Sequence, residues 1–159
     1  MENSVFISFW RSVNCCPFPL SGGIDLRILG PASTLDSTSD NNHSLVCLLR
    51  TKSGNALFTG DIEAPAQQAL ASTWPLWRGA WLKAPHHGSD RTTLPCFLSA
   101  VAPPHVAISS GRRPGFPGHH TLDVLATLNS EVGITAKDGA IIWDFNSHHS
   151  MSRKFATQF

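Results

Sequence analysis

Two adjacent histidines, His86 and His87, lie in the stretch WLKAPHHGSD, at the end of a short apolar run. Asp61 stands in a comparable place, directly after the apolar run ALFTG, and His119 lies in the glycine- and proline-rich segment SGRRPGFPGHH. A carboxylate with imidazoles is the ligand set that suits Zn²⁺ or a similar divalent ion, and a carboxylate can bridge two ions. These residues are therefore candidates for a metal site.

Each of these residues also has a simpler interpretation. A Gly-Asp pair after a strand is typical of an ordinary turn, and a histidine pair beside a proline can be surface decoration. His148 and His149 lie in a polar tail and are expected to be solvated. His43 and His105 are expected to be structural or exposed. Residue types alone leave both interpretations open.

Length and composition limit the choice of function. The chain of 159 residues is 42% hydrophobic, which suits one domain with a sizeable core. Its formal net charge of +1 supplies no overall field that attracts nucleic acid or an anionic membrane, so an anion must be bound locally. Cys47 and Cys96 lie in apolar runs, where burial is expected. With neither a signal peptide nor a transmembrane segment in its sequence, the chain as given is expected to be soluble.

The elements that would position these residues follow from local patterns. DLRIL predicts a strand, and SLVCLLR and ALFTG, joined by TKSGN, predict a β-hairpin. A helix is predicted at about residues 64–72, and GAWLKAP predicts a buried strand that ends at the histidine pair. LPCFLSAVAP predicts a helix, HVAISS a strand and TLDVLATLNSE a helix. GITAKDGAIIWDF predicts a second hairpin, which turns at Asp138 and Gly139.

Strands and helices alternate, but the two hairpins interrupt a strict βαβ order. This order predicts a layered α/β or α+β domain with a mixed sheet flanked by helices. Because loops at strand ends are where such a sheet displays ligand-binding groups, Asp61, His86 and His87 are expected to converge. A shared ion, with its roughly 2 Å bonds, requires the carboxylate to lie within about 8 Å of the imidazoles.

From IDLRILGP to GAIIWDF, the order of segments resembles the C-terminal half of a metallo-β-lactamase-fold domain, of the kind found in ComEC-type DNA-internalisation competence proteins. The matching pieces are NNHSLVCLLR with LFTGDIEAPAQQAL, then LKAPHHGSDRTT, then SSGRRPGFPGHHTLDVLATL. The resemblance covers residues 24–145. Residues 1–23 are then a poorly defined N-terminal segment, and residues 146–159 are a polar tail.

The resemblance implies metal-dependent phosphodiester hydrolysis, with Zn²⁺ or Mn²⁺ as the metal and DNA as the partner in the parent family. It implies three sets of residues: metal ligands Asp61, His86 and His87; catalytic groups His86 and His119; and phosphate-binding groups Lys83, Ser89 and Arg91. Gly118 and His119 match the start of the family's later G-H-P-H-P motif, whereas Thr121 and Leu122 replace its second histidine and second proline.

The H-x-H-x-D-H cluster of the fold, or the H-x-D-x-D-H form of this subfamily, does not occur in the sequence. The chain is therefore expected to be inactive alone. It is expected to be either a fragment that needs a missing N-terminal half or transmembrane channel protein, as in the inner-membrane parent family, or a relic. The alternative is a non-catalytic module that binds nucleic acid or a protein through Arg112 and Arg113. Half a sandwich also leaves an apolar face uncovered, which predicts self-association or marginal stability.

Overall fold

The computed structural model describes residues 18–32, 38–71, 77–112, 114–143, 145 and 153–156. The strands are β1 (Phe18–Leu20), β2 (Ile24–Gly30), β3 (Val46–Thr51), β4 (Gly54–Phe58), β5 (Trp81–Lys83), β6 (His105–Ile108), β7 (Glu131–Ile134), β8 (Ala140–Trp143) and β9 (Arg153–Ala156). The α-helices are α1 (Ala64–Ala71), α2 (Pro95–Val101), α3 (His119–Thr127) and α4 (Thr135–Asp138).

The main sheet has seven strands, and their order across the sheet is their order in the chain, β1 to β7. The first four strands pair antiparallel. The strands from β4 to β7 pair parallel. The architecture is therefore mixed α/β with a mixed sheet, which confirms that part of the sequence-based prediction.

The hydrophobic core forms where helices pack on the central strands. Its most buried members, each at most 1% exposed, include Leu48, Leu57, Ile62, Trp77, Leu82, Leu98, Val106, Ile108 and Leu125. The Trp77 and Phe97 rings pack with centroids 5.8 Å apart. Each large apolar side chain buried in this way contributes about 1.5–3 kcal/mol, so this core fixes the strands that carry the candidate site.

The predicted hairpin over GITAKDGAIIWDF is wrong. β7 pairs with β6, and β8 pairs with β9 in a separate two-stranded sheet. The short helix α4 separates them, and the Asp138 carboxylate accepts a hydrogen bond from the Ile134 backbone N–H at 2.7 Å. Gly139 then has a φ of 73°. A glycine that follows a helix and one in a hairpin turn both satisfy a positive φ, so the Asp-Gly signal did not distinguish them.

The other predicted elements are found close to their expected bounds. The first predicted hairpin is β3 with β4, and the three predicted helices correspond to α1, α2 and α3. Cys96 is exposed, which corrects the expectation that it is buried. Cys47 is half-buried, and burial raises the pKa of its thiol. The prediction for His148 and His149 lies outside the described residues.

An aromatic cluster lies on the face of the main sheet opposite the core. Trp81 alternates with the core residue Leu82 along β5, so the two side chains point to opposite faces. Phe145 stacks on Trp81 at 4.2 Å between ring centroids, and Trp143 of β8 contacts Trp81 edge-on at 5.4 Å. Trp81 is only 6% exposed, whereas Phe58 is 41% exposed. The face is thus partly covered, and self-association stays a prediction.

Within the described residues, no helix is long and apolar enough to cross a membrane. The longest, α3, has nine residues, whereas a transmembrane helix needs about 20.

Candidate functional site

The candidate site lies where three neighbouring parallel strands end. β4 leads to Asp61, β5 leads to the histidine pair, and β6 leads to Ser109, so these loops meet at one edge of the sheet. The Thr59 hydroxyl donates a hydrogen bond to the Lys83 carbonyl at 2.8 Å, and the His86 backbone N–H donates to the Gly60 carbonyl at 3.4 Å. These bonds fix the aspartate loop against the histidine loop.

Asp61 lies between Lys83 and His87. Its Oδ2 atom is 3.5 Å from His87 Nε2, and its Oδ1 atom is 3.4 Å from Lys83 Nζ. Lys83 Nζ also donates a hydrogen bond to the Gly60 carbonyl at 3.0 Å. The site therefore places one carboxylate between an ammonium and an imidazole, and all three side chains are 22–45% exposed and reachable from solvent.

The contact of His87 with Ser109 indicates which of its ring nitrogens carries a hydrogen. His87 Nδ1 lies 2.5 Å from the Ser109 carbonyl oxygen, and a carbonyl only accepts hydrogen bonds, so Nδ1 carries the hydrogen. In the neutral ring, the Nε2 lone pair would then face the Asp61 carboxylate. Two acceptors that face each other at 3.5 Å repel, and a cation placed between them would remove this repulsion. The contact between Asp61 and His87 is thus suited to a shared positive charge.

His86 has different neighbours from His87. Its Nδ1 atom lies 3.6 Å from Glu63 Oε1 and 3.5 Å from Asn41 Nδ2. Asn41 Nδ2 donates a hydrogen bond to the same Glu63 oxygen at 2.9 Å. Neither Glu63 nor Asn41 was among the site residues predicted from the sequence. The only available signal was their position: Glu63 stands two residues after Asp61, and Asn41 begins the segment NNHS.

The backbone of the histidine loop is strained. His86, His87 and Gly88 all have positive φ, at 44°, 56° and 73°. A positive φ is uncommon for residues other than glycine and costs about 1 kcal/mol or more each, so consecutive examples need surrounding structure to hold them. Such strain concentrates at functional sites. The surrounding structure therefore holds both histidines in this conformation.

Gly60 of the TGD sequence is required by both its conformation and its contacts. Its φ is 57°, and a Cβ atom there would lie 2.6 Å from Ser44 Cβ. Ser44 Oγ in turn accepts a hydrogen bond from the Asp61 backbone N–H at 3.2 Å. The glycine therefore lets the aspartate loop approach the NNHS segment closely. Ser44 of that segment then fixes the backbone at Asp61.

Asp90, which was not among the predicted site residues, connects the histidine loop to the start of α3. Its carboxylate accepts hydrogen bonds from the backbone N–H groups of Thr121 at 2.7 Å and His120 at 3.1 Å. A Cβ atom on Gly118 would overlap this carboxylate. Desolvation raises the pKa of Asp90, but the hydrogen bonds from Thr121 and His120 and the charge of His120 together outweigh it, so the pKa is lowered from its ordinary value of 3.8.

Asp90→Asn is expected to lower the free energy of unfolding at neutral pH by about 0.5–1 kcal/mol, a small value because solvent screens this exposed carboxylate. The pKa of the Asp90 carboxyl is lower in the folded protein than in the unfolded chain. Its stabilising effect is therefore present above the pKa of the unfolded chain and is lost as the pH falls through the pKa of the folded protein. Urea unfolding at neutral pH and at about pH 3 measures this difference. Asp123→Asn, on the exposed side of α3, is the matched control, and equal losses for both variants would contradict the capping role.

The remaining predicted site residues take up separate positions. Ser89 is 6% exposed, and its hydroxyl accepts a hydrogen bond from the Arg91 backbone N–H at 3.3 Å. Arg91, Arg112 and His119 are exposed, and His119 is the first residue of α3. Arg113 lies outside the described residues. The structure thus brings together Asp61, Lys83 and His87, and it places His86 beside Glu63.

The residues fit a divalent metal in donor type but not in number. A single ion with bonds of about 2.0–2.2 Å fits between Asp61 Oδ2 and His87 Nε2, which are 3.5 Å apart. The hydrogen bond from His87 Nδ1 to Ser109 is the kind of outer contact that orients a ligating imidazole. Zinc takes at least three protein ligands, however, and the described part of the chain contains no group of three His, Cys, Asp or Glu suited to a metal.

The chain is similar in sequence to named proteins, although no family model matches it. It is 28% identical over 126 residues to ComE operon protein 3 of Bacillus subtilis (strain 168), which covers 78% of this chain and 16% of that protein. It is 34% identical over 93 residues to Competence protein ComA of Neisseria gonorrhoeae, which covers 56% and 13%. These similarities link the chain to competence proteins.

A further similarity is to Uncharacterized protein YcaI of Escherichia coli (strain K12), at 43% identity over 54 residues. That match covers 33% of this chain and 7% of the relative. The chain therefore spans no more than 16% of the length of any of these three relatives.

Proposed function

We propose that this chain is a metallo-β-lactamase-like domain that acts in DNA uptake. It binds the phosphodiester backbone of nucleic acid and, once further metal ligands are supplied, hydrolyses it. The observation that carries the proposal is the placement of Asp61 between Lys83 and His87, at the ends of parallel strands. The similarity to two competence proteins supports DNA as the ligand. The segments that carry the resemblance to the metallo-β-lactamase fold are the same segments that supply these residues.

The side chains at this edge suit a phosphodiester. Lys83 supplies an ammonium at this edge, and Arg91, whose guanidinium is exposed, follows His87 by four residues in the chain. Both groups bind phosphoryl oxygens, Lys as a point charge and Arg through its planar fork. Hydrolysis in the parent chemistry depends on a bound metal that supplies an activated water. Because the described residues offer only two opposed donors, we propose that this chain needs further ligands from elsewhere to hydrolyse DNA.

A second candidate function is a non-catalytic module that binds nucleic acid. The observation that favours it is the lack of a three-ligand group within the described ranges. Both functions predict contact with phosphates at this edge. They differ in one respect: metal ligands added from a partner segment should produce DNA hydrolysis under the first function and none under the second.

The purified chain is expected to bind single-stranded oligothymidylate and to show no hydrolysis of it, or of bis(p-nitrophenyl) phosphate, with Zn²⁺ or Mn²⁺. Binding should weaken as salt rises, because contacts to phosphates release counterions. Lys83→Gln should weaken binding about fivefold, roughly 1 kcal/mol for one lost contact to a phosphate. Fluorescence anisotropy measures the binding, and release of nitrophenolate measures the hydrolysis.

Lys52→Gln is the matched control, since Lys52 is an exposed lysine in the turn between β3 and β4, at the other end of β4. It should leave the affinity for oligothymidylate unchanged. Absence of salt-dependent binding, or equal effects of the two lysine substitutions, would overturn the proposed function. Metal-dependent turnover that disappears in Asp61→Ala would overturn the proposal that the chain is inactive alone.

A further inference from the structure

A second pair of acid and imidazole lies beside the Asp61 and His87 pair. Glu63 Oε1 is 3.6 Å from His86 Nδ1, and both side chains are 24% exposed. The Asn41 amide holds the same carboxylate oxygen through a hydrogen bond of 2.9 Å. Glu63 is fixed on its backbone side as well, because its N–H donates to the buried Asn42 Oδ1 at 2.9 Å. Glu63 therefore presents its carboxylate to His86 from a fixed position.

The contacts of His86 Nδ1 decide which ring nitrogen carries the hydrogen. If Nδ1 had no hydrogen, its lone pair would accept from Asn41 Nδ2 at 3.5 Å and face the Glu63 carboxylate at 3.6 Å. The first contact is a long bond between neutral groups, and the second is repulsive. If Nδ1 carries the hydrogen, the contact with the carboxylate becomes an attraction between an N–H group and a full negative charge, although 3.6 Å is longer than a hydrogen bond. The Asn41 amide then donates its hydrogen bond to Glu63. The arrangement favours hydrogen on Nδ1.

We propose that Glu63, held by Asn41, is a positioning residue that keeps the hydrogen of His86 on Nδ1 and leaves Nε2 as a free acceptor. Nε2 then accepts a hydrogen bond from a water or hydroxyl group beside a phosphodiester bound at this edge. This role rests on the proposed function. His87 also carries its hydrogen on Nδ1, through its contact with Ser109, but its Nε2 faces the Asp61 carboxylate.

The strained loop directs its two imidazole rings toward different acids. The His86 and His87 rings are nearly perpendicular, at 83°, with centroids 6.3 Å apart. Each ring is matched to its own acid, His86 to Glu63 and His87 to Asp61. Both residues have positive φ, and in this conformation their side chains contact two acids that are themselves two residues apart. An extended pair would instead point to opposite sides of the chain.

The test is the ring form of His86 in the full chain, read from long-range proton–nitrogen correlation spectra in mildly alkaline solution, where imidazole is neutral. In the unmodified protein, the Nδ1–H form should dominate. Glu63→Gln keeps the size of the side chain and removes its charge, so the His86 signal should shift to a mixture of both ring forms. Glu131→Gln is the matched control: Glu131 pairs with His105 Nδ1 at 3.0 Å, at the opposite end of β6 from Ser109, and should leave His86 unchanged.

An Nε2–H form of His86 in the unmodified protein would overturn the proposal without any variant. An unchanged His86 signal in a folded Glu63→Gln protein would overturn it as well. The proposed function is tested separately, by adding oligothymidylate to the unmodified chain. Nδ1–H on His86 with no binding of oligothymidylate would overturn the proposed function and support the effect of Glu63 on the ring.

Discussion

Trp81→Ala should lower the free energy of unfolding by about 4 kcal/mol, the size of loss typical of a large aromatic removed from a packed interior. Trp81 is 6% exposed although it lies on the face of the sheet away from the helices. The rings of Phe145, Trp143 and His105 surround it, with centroid distances of 4.2 to 5.4 Å. Urea unfolding followed by fluorescence or circular dichroism measures the change.

Phe58→Ala is the control from the same cluster. The Phe58 ring contacts Trp143 at 6.3 Å between centroids but is 41% exposed, so its loss should cost below about 1.5 kcal/mol. Trp81→Ala should also increase the binding of an apolar dye, because the uncovered face gains exposed surface. Equal losses for the two variants would mean that the two-stranded sheet does not cover Trp81.

The fold could be predicted wherever a local pattern marked one element. The turn TKSGN between two apolar runs identified the hairpin of β3 and β4, and the prolines after Val101 marked the end of α2. The pairing of β8 could not be predicted in the same way. Its partner β9 follows after a polar segment, and nothing local in NSHHSMSRK indicates that a strand returns. That strand lies inside the segment interpreted as a polar tail.

The candidate site shows the same division. Asp61 and His87 were expected together because each follows a strand, and they lie 3.5 Å apart. Glu63, Asn41 and Asp90 were missed because their contacts depend on how loops fold over one another. Asp90 acts across 30 or 31 residues of sequence, and a carboxylate after Gly-Ser has no pattern that announces a helix cap so far away. The sequence therefore predicts the site residues that follow strands, but not the side chains that orient those residues.

Gln67→Met should lower the free energy of unfolding by about 3 kcal/mol and shift the ring nitrogen signals of His86 and His87. Gln67 is 1% exposed on α1. Its amide nitrogen donates to the carbonyls of Ile62 at 3.0 Å and Thr92 at 2.9 Å, and its oxygen accepts from the Leu94 N–H at 2.8 Å. Methionine keeps the side-chain volume but leaves three backbone groups without a hydrogen-bond partner. Each buried group without a partner lowers the free energy of unfolding by about 1–3 kcal/mol, and burial of the apolar methionine side chain offsets part of this loss.

Gln68→Met is the matched control, because the neighbouring glutamine on α1 is exposed. It should change the free energy of unfolding by less than about 0.5 kcal/mol. Ile62 lies between the two site acids in sequence, and Thr92 and Leu94 follow the histidine loop, so Gln67 ties the acids to the imidazoles. The ring nitrogen signals of His86 and His87 should therefore shift in Gln67→Met and not in Gln68→Met. Unshifted histidine signals in a destabilised Gln67→Met protein would mean that the core, and not this amide, holds the two loops in register.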